Sequence, residues 1–343
     1  EHGARVVKVE PPAGDVTRRW HLATEDPDDD RPAYFCAVNW GKESAVLDLR
    51  QPDGRAALHQ LAARADVVVS AFRPGAAEAL GADAETLRAH NPRVIVAEVD
   101  GYGPDDPRAG YDAVIQAEAG FTFLNGHPDG PPTKMPVALV DVLAAHQLKE
   151  AVLVALLERQ RTGRGAHIRV SLLGAAVSSL ANQASNWLTA GVSPQRLGSA
   201  HPNIVPYGTP YPTASGPVVL AVGTDRQFAA LWDLLGLAPD ARFTTNADRV
   251  RQREALEAVL HDALATWERD ALLAALAERS VPAGAVRDLP AVFEQAEARR
   301  LVVRDGDGHA AVRTVATGER RPLAPPPTLG AHTEAILGEL GSA

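Results

Sequence analysis

The chain has 343 residues, enough for one large domain or two ordinary ones, and its formal charge of −9 argues against a broad surface for nucleic acid or anionic lipid. Its single cysteine, Cys36, excludes an internal disulfide framework and any multi-cysteine metal site, and reads as a small buried apolar residue. No apolar run of membrane-spanning length and no signal-peptide pattern is present, so a soluble protein of the cytoplasm is expected, with neither nucleic acid nor membrane as partner.

The sequence opens at Glu1 rather than Met, on residues that read as the end of a helix, and more chain is expected ahead of it. Arg5 to Glu10 reads as a short strand stopped by Pro11, Pro12 and Gly14. Further strands are predicted at Ser44–Leu49, Val67–Ser70 and Val94–Val99, with helices between them: one that Asp53 and Gly54 precede and that runs through Arg64, and two from Ala76 to Leu80 and Ala84 to Ala89. Strands separated by helices predict a doubly wound parallel sheet with ligands at the carboxyl ends of the strands. Residues 101–133 are rich in Gly, Pro and Asp around a helix predicted over Asp112–Phe123. A long helix closing near Gly163, the strand His167–Leu172 and a helix through Leu188 follow. Gly191 to Pro212 reads as a linker. Beyond it the strand Val218–Val222, helices near 225–235, 247–266 and 269–279, the segment VPAGAV at 281–286 and a helix near 289–299 predict a smaller α/β unit. The tail, with strands near 310–315 and a helix from Thr333, is expected to return to the first domain. The division in chain order is thus 1–200, 201–302 and 303–343.

Between Pro136 and Gly163 one acid, Asp141, stands in an apolar run of Val137, Leu139, Val140, Val142 and Leu143. From there Leu148, Val152, Leu156 and Leu157 recur at helical spacing, so Asp141 sits at or near a helix start. The plain reading is an N-cap. The chemical reading is compatible with it, because the dipole at a helix N-terminus holds a carboxylate ionised, and an ionised carboxylate can attack an acyl carbon. Asp48, Asp100 and Asp112 compete for that role, and residue chemistry alone does not rank them. Familiar cofactor and catalytic signatures are missing: there is no phosphate-binding GxxxxGK[ST] loop, no GxSxG elbow and no HExxH helix, and Gly101-Tyr102-Gly103 lacks the third glycine of a dinucleotide fingerprint. His90, His127, His146, His201 and His332 are scattered without metal-ligand spacing, so no metal is expected.

The ordered set GARVVKVEPPAGDVTR at 3–18, NWGKESAVLDLR at 39–50, FRPG at 72–75, GYD at 110–112, PDGPP at 128–132, the Asp141 segment with ERQRTGRGAHIRVSLL at 158–173, HPNIVPYGTPYPTASG at 201–216, SVPAGAVRDLPAVF at 280–293 and LGAHTEAIL at 329–337 resembles the family III CoA-transferases. These are the CaiB/BaiF group, which includes formyl-CoA transferase and, as a branch, the α-methylacyl-CoA racemases. The resemblance implies a Rossmann-like large domain, a small α/β domain and an interlocked-ring homodimer. It further implies that CoA is substrate and product rather than a tightly bound cofactor, and that the partners are acyl-CoA and small carboxylic acids. Asp141 matches the family's catalytic aspartate, which passes through an acyl anhydride and an aspartyl-CoA thioester. Leu47 and Arg50 match positions near the adenine and the nucleotide phosphate, and Phe72 an aromatic at the nucleotide site. Ala71 stands where Asn is frequent, Ala79 where an Arg often meets CoA, and Pro11 where formyl-CoA transferase has a basic residue. Leu197-Gly198-Ser199-Ala200 occupies the place of a loop that covers the aspartate in some members, and also reads as plain linker. In the racemase branch a histidine precedes the aspartate by the separation that Tyr111 has from Asp141. A phenol, with an ordinary pKa near 10, is a poor general base at neutral pH, which favours transfer over racemisation and leaves Tyr111 a substrate-positioning role. The rival readings are an acyl-CoA racemase or epimerase and a non-catalytic CoA-binding protein.

Overall fold

A computed structural model describes residues 2–313 and 322–341. The chain is mixed α/β and divides into two compact units, one of residues 1–110, 144–174 and 291–343 and one of residues 111–143 and 175–290. These units follow packing, whereas the division at 200 and 302 follows chain order.

In the first unit β1 (Val6–Glu10) pairs in parallel with β2 (Lys42–Val46). A second parallel sheet runs β3 (Val67–Ser70), β4 (Ile95–Asp100), β5 (His167–Ser171), with β4 in the middle. The central place explains the composition of β4: Ile95, Val96 and Ala97 are all fully buried, because helices or sheet cover both faces. Leu58 and Ala62 of helix Pro52–Arg64 and Leu87 of helix Ala84–His90 pack with Val94 and Val96 in one apolar cluster. Gly165 is obligatory at the start of β5, since a Cβ there would run into the Val94 carbonyl.

Among the described residues, the two buried charges of this unit answer one another. Glu10 receives Arg18 Nε at 2.7 Å, Arg18 Nη2 at 2.8 Å and the Ser44 hydroxyl at 2.7 Å, while the guanidinium lies 4.0 Å over Phe35. Arg18 also donates to the Pro327 carbonyl, and Ser44 Oγ accepts from the Gly330 N–H. The tail is thereby fastened to β1 and β2, and helix Thr333–Gly341 follows at once. Helix Ala33–Asn39 and the strand β9 (Val302–Arg304), which pairs antiparallel with β10 (Ala310–Val312), have no counterpart in the sequence reading. The strand expected to 315 ends at Val312, and residues 314 and 315 lie outside the described residues.

The second unit holds an antiparallel sheet in the order β6 (Tyr207–Tyr211), β7 (Val218–Ala221), β8 (Ala283–Ala285). Val218, Leu220, Leu231, Leu256, Leu260, Leu264, Leu272 and Leu276 form its core. Arg249 is buried among them and is satisfied by the carbonyls of Val205, Phe243 and Thr244 and by Asp225 at 2.6 Å. β6 falls inside the stretch that composition reads as linker. The helix expected over Asp112–Phe123 breaks into Asp112–Glu118 and Phe121–Leu124, because Gly120 takes a φ of 87° that ends the first piece.

Candidate active site

Helix Leu139–Thr162 starts two residues ahead of Asp141, so Asp141 is its third residue and not its cap. The capping function comes from elsewhere in the second unit. Asp112 Oδ1 accepts the Val140 N–H at 2.8 Å, and Asp112 Oδ2 accepts Gln116 Nε2 at 2.8 Å. The same Gln116 amide donates to the Val137 carbonyl at 3.2 Å, and its Oε1 accepts the Met135 N–H at 2.9 Å. Asp112 and Gln116 are both buried, and each is satisfied on both sides. Two side chains of helix Asp112–Glu118 therefore define the path of residues 135–140 and deliver Asp141 to the first turn.

With its capping role taken over, the Asp141 carboxylate is exposed and accepts no hydrogen bond among the described residues. Its pKa is raised above the ordinary aspartate value, first because surrounding protein withholds part of its hydration and second because Asp112 sets a like charge near it. Asp141 is thus a more basic carboxylate than usual, with no internal partner to displace.

The rival acids are all engaged. Asp48 holds Arg50 Nε at 2.8 Å and Nη2 at 2.9 Å, Asp100 Oδ1 accepts the Gly103 N–H, and Asp112 is the buried cap. Of the four acids, Asp141 is the one whose carboxylate has no hydrogen-bond partner among the described residues. Tyr111, directly before Asp112, is 62% exposed. His146 faces solvent beside Lys149 Nζ, 3.3 Å from its Nδ1. Residues 196–198 dock on the segment after Gly120: Arg196 Nη1 donates to the Phe123 carbonyl at 3.0 Å and Gly198 N–H to the Gly126 carbonyl at 2.9 Å.

In the first unit a groove of about 230 Å³ opens at the carboxyl ends of β3 and β4, lined by Phe72, Arg73, Asp100, Gly103 and Arg169 among others. Phe72 offers it an aromatic face, 37% exposed. Arg73, which the sequence reading passed over, has no side-chain partner among the described residues, while Arg169 Nε is held by Glu98 at 2.9 Å. Leu47 and Arg50 follow β2 and do not line this groove. Leu47 is buried with its N–H on the Glu10 carbonyl, and Arg50 is exposed and folded back on Asp48. The carboxylates of Glu78, Glu98 and Asp100 also line the groove, so Phe72 and the unpaired guanidinium of Arg73 are what it offers a phosphorylated nucleotide.

Residues 1–333 match CoA-transferase family III. The chain is 38% identical to the succinate–glutarate CoA-transferase of Agrobacterium fabrum, over 98% of this chain and 89% of the relative. It is 36% identical to the acetyl-CoA:oxalate CoA-transferase of Acetobacter aceti, over 89% of this chain and 79% of that protein. Among solved structures, a CaiB/BaiF family protein from Brucella suis superposes with a TM-score of 0.83 at 40% identity, covering 98% of this chain and 92% of that one. The protein Rv3272 of Mycobacterium tuberculosis superposes equally well, with a TM-score of 0.83 at 31% identity over 97% of this chain and 91% of its own.

Proposed function

This chain belongs to CoA-transferase family III, and from that premise we propose that it moves CoA from an acyl-CoA donor to a carboxylic acid through covalent intermediates on Asp141. The observation that carries the reading is the exposed, unengaged and unusually basic carboxylate of Asp141 in the first turn of its helix. An Asp141 oxygen attacks the thioester carbonyl, the C–O bond forms, the C–S bond breaks, and the electron pair leaves on sulfur as CoA thiolate. The thiolate then attacks the aspartyl carbonyl, releases the donor acid as carboxylate and leaves an aspartyl-CoA thioester. The acceptor carboxylate repeats the two steps in reverse. No proton is consumed and every stage keeps one activated acyl bond, as thioester or as anhydride, so the exchange needs no nucleotide triphosphate.

The relatives' names carry succinate, glutarate, oxalate and mesaconate, all dicarboxylic acids, and we extend that class to this chain as its substrates. CoA acts as substrate and product, with Phe72, Arg73 and Arg169 toward its nucleotide; Arg50 and the backbone beside Leu47 are the second contact set, and Tyr111 positions the acyl group. Helix Leu139–Thr162 supports the homodimer. It buries Ala144, Leu148 and Ala155 yet leaves Leu153, Val154 and Leu157 at 54%, 60% and 64% exposure, an apolar face suited to a second copy of the chain. No helix among the described residues is long and apolar enough to cross a membrane, and a cytoplasmic location follows the sequence reading.

The test is transfer itself. Succinyl-CoA with glutarate should give glutaryl-CoA and free succinate without ATP, and Asp141→Asn should abolish it. Exchange of an α-proton with deuterated water, without change of acyl partner, would instead identify a racemase.

A further inference from the structure

We propose that Asp112 and Gln116 are positioning residues of the nucleophilic step: Asp112 fixes the first turn of the Asp141 helix and sets a second negative charge within electrostatic reach of its carboxylate, while Gln116 holds the approach to that turn. The proposal rests on the reading of Asp141 as the acyl acceptor and assigns roles that reading does not need.

Geometry supports the positional half. Residues 135, 137 and 140 are each tied to one of two side chains on a single helix, through the Met135 N–H, the Val137 carbonyl and the Val140 N–H. Val140 precedes the nucleophile directly, so a shift of its N–H moves the Asp141 Cα with it. A serine or asparagine at the cap position would satisfy the helix end equally well. Instead the fold brings in a buried carboxylate from another element, a costlier choice whose charge reaches the neighbouring acid.

That charge has a direction in the chemistry. When Asp141 attacks, its negative charge passes to the departing thiolate and the anhydride left behind is neutral. The like-charge repulsion with Asp112 present in the free enzyme is relieved in the anhydride and in the aspartyl-CoA thioester. Asp112 therefore favours covalent capture by destabilising the free carboxylate. Among the described residues, Asp112 is the charged group that acts on the Asp141 carboxylate.

Asp112→Asn separates this role from simple capping. The asparagine Oδ1 still accepts the Val140 N–H, but the charge is gone and its amide faces Gln116 Nε2, so the Gln116 bond is lost as well. Gln116→Met loses that bond while keeping the charge, and is the control. The experiment is single-turnover acylation of the full chain by succinyl-CoA, followed from pH 4 to 8 with thermal unfolding as the check on folding. With Asp112→Asn the acid limb should move to lower pH and the plateau should fall, by at most about tenfold for each pKa unit removed from Asp141. With Gln116→Met the plateau should fall with the limb unmoved and KM for succinyl-CoA unchanged. A folded Asp112→Asn protein with the wild-type limb and plateau overturns the electrostatic role, and a wild-type plateau in Gln116→Met overturns the positional one. Should wild type itself never acylate at Asp141, the reading of Asp141 falls first and takes this proposal with it.

Discussion

Asp112 and Val140 are joined by a 2.8 Å hydrogen bond that links a buried carboxylate to the backbone directly before Asp141. One acid of the second unit is consumed in holding a helix start, and the other is left free and basic one residue further on. Two aspartates in one neighbourhood differ because Asp112 is buried with two donors and Asp141 has none among the described residues.

The raised pKa of Asp141 has a pH signature. The reactive form is the carboxylate, so acylation should be lost as pH falls through the raised pKa and be fully present above it. The acid midpoint of the single-turnover rate in wild type should lie above the ordinary aspartate value of about 3.9. A midpoint at or below that value would remove the electrostatic argument for Asp141.

Arg73 should carry part of the CoA grip. Removing a guanidinium that makes one charge-assisted bond to a phosphate costs about 1.5–3 kcal/mol. Arg73→Ala should therefore weaken CoA binding by roughly 10- to 150-fold in calorimetry while leaving thermal stability unchanged, since Arg73 holds no internal side-chain partner among the described residues. Unchanged affinity would move the nucleotide away from this groove.

Arg249 is the structural opposite. Its guanidinium is 1% exposed, satisfies three carbonyls and lies 4.2 Å over Phe228. Arg249→Ala strands those carbonyls beside an empty volume and should destabilise the second unit by about 3 kcal/mol or more in urea unfolding. A loss under about 1 kcal/mol would mean that water replaces the side chain.

His309 offers a second pH test, apart from the site. Its Nδ1 lies 2.9 Å from Asp305 and its Nε2 3.0 Å from Asp29, while Arg31 reaches Asp29 and Asp307. Both ring nitrogens can donate only in the imidazolium. Burial lowers its pKa, but the two carboxylates outweigh that and the net direction is upward; Asp29 and Asp305 are both lowered. Its stabilising contribution is complete below the ordinary histidine pKa of about 6.5 and is lost as pH rises through the elevated one. His309→Gln should therefore lower the melting temperature at pH 6 and change it little at pH 9. An equal effect at both would show that the ring acts by packing alone.

Much of the fold was readable because local signals and tertiary structure agree. Val67–Ser70 and the apolar run ahead of Asp100 read as strands by composition, and Thr333 starts the last helix where the sequence places it. Helix Ala33–Asn39 escaped notice because its start at Pro32 carries no side-chain cap. β6 did too, since its Gly208 and Pro210 are turn residues by composition and only pairing with β7 makes them strand. For the site, the motif singled out Asp141, but its exemption from capping depends on Asp112, distant in sequence and brought close only by the fold. The four-residue spacing of Asp112 and Gln116 was a visible hint that both face one way. Arg73 lay inside the quoted FRPG motif and became notable only when the groove showed its guanidinium unpaired.

The most direct measurement is peptide mass mapping after the full-length chain is incubated with succinyl-CoA and quenched with hydroxylamine. Capture of the acyl group on the enzyme should leave a hydroxamate on Asp141 alone, absent in Asp141→Asn. Turnover of succinyl-CoA with Asp141 unmodified, or label on another residue, would contradict the assignment of the nucleophile.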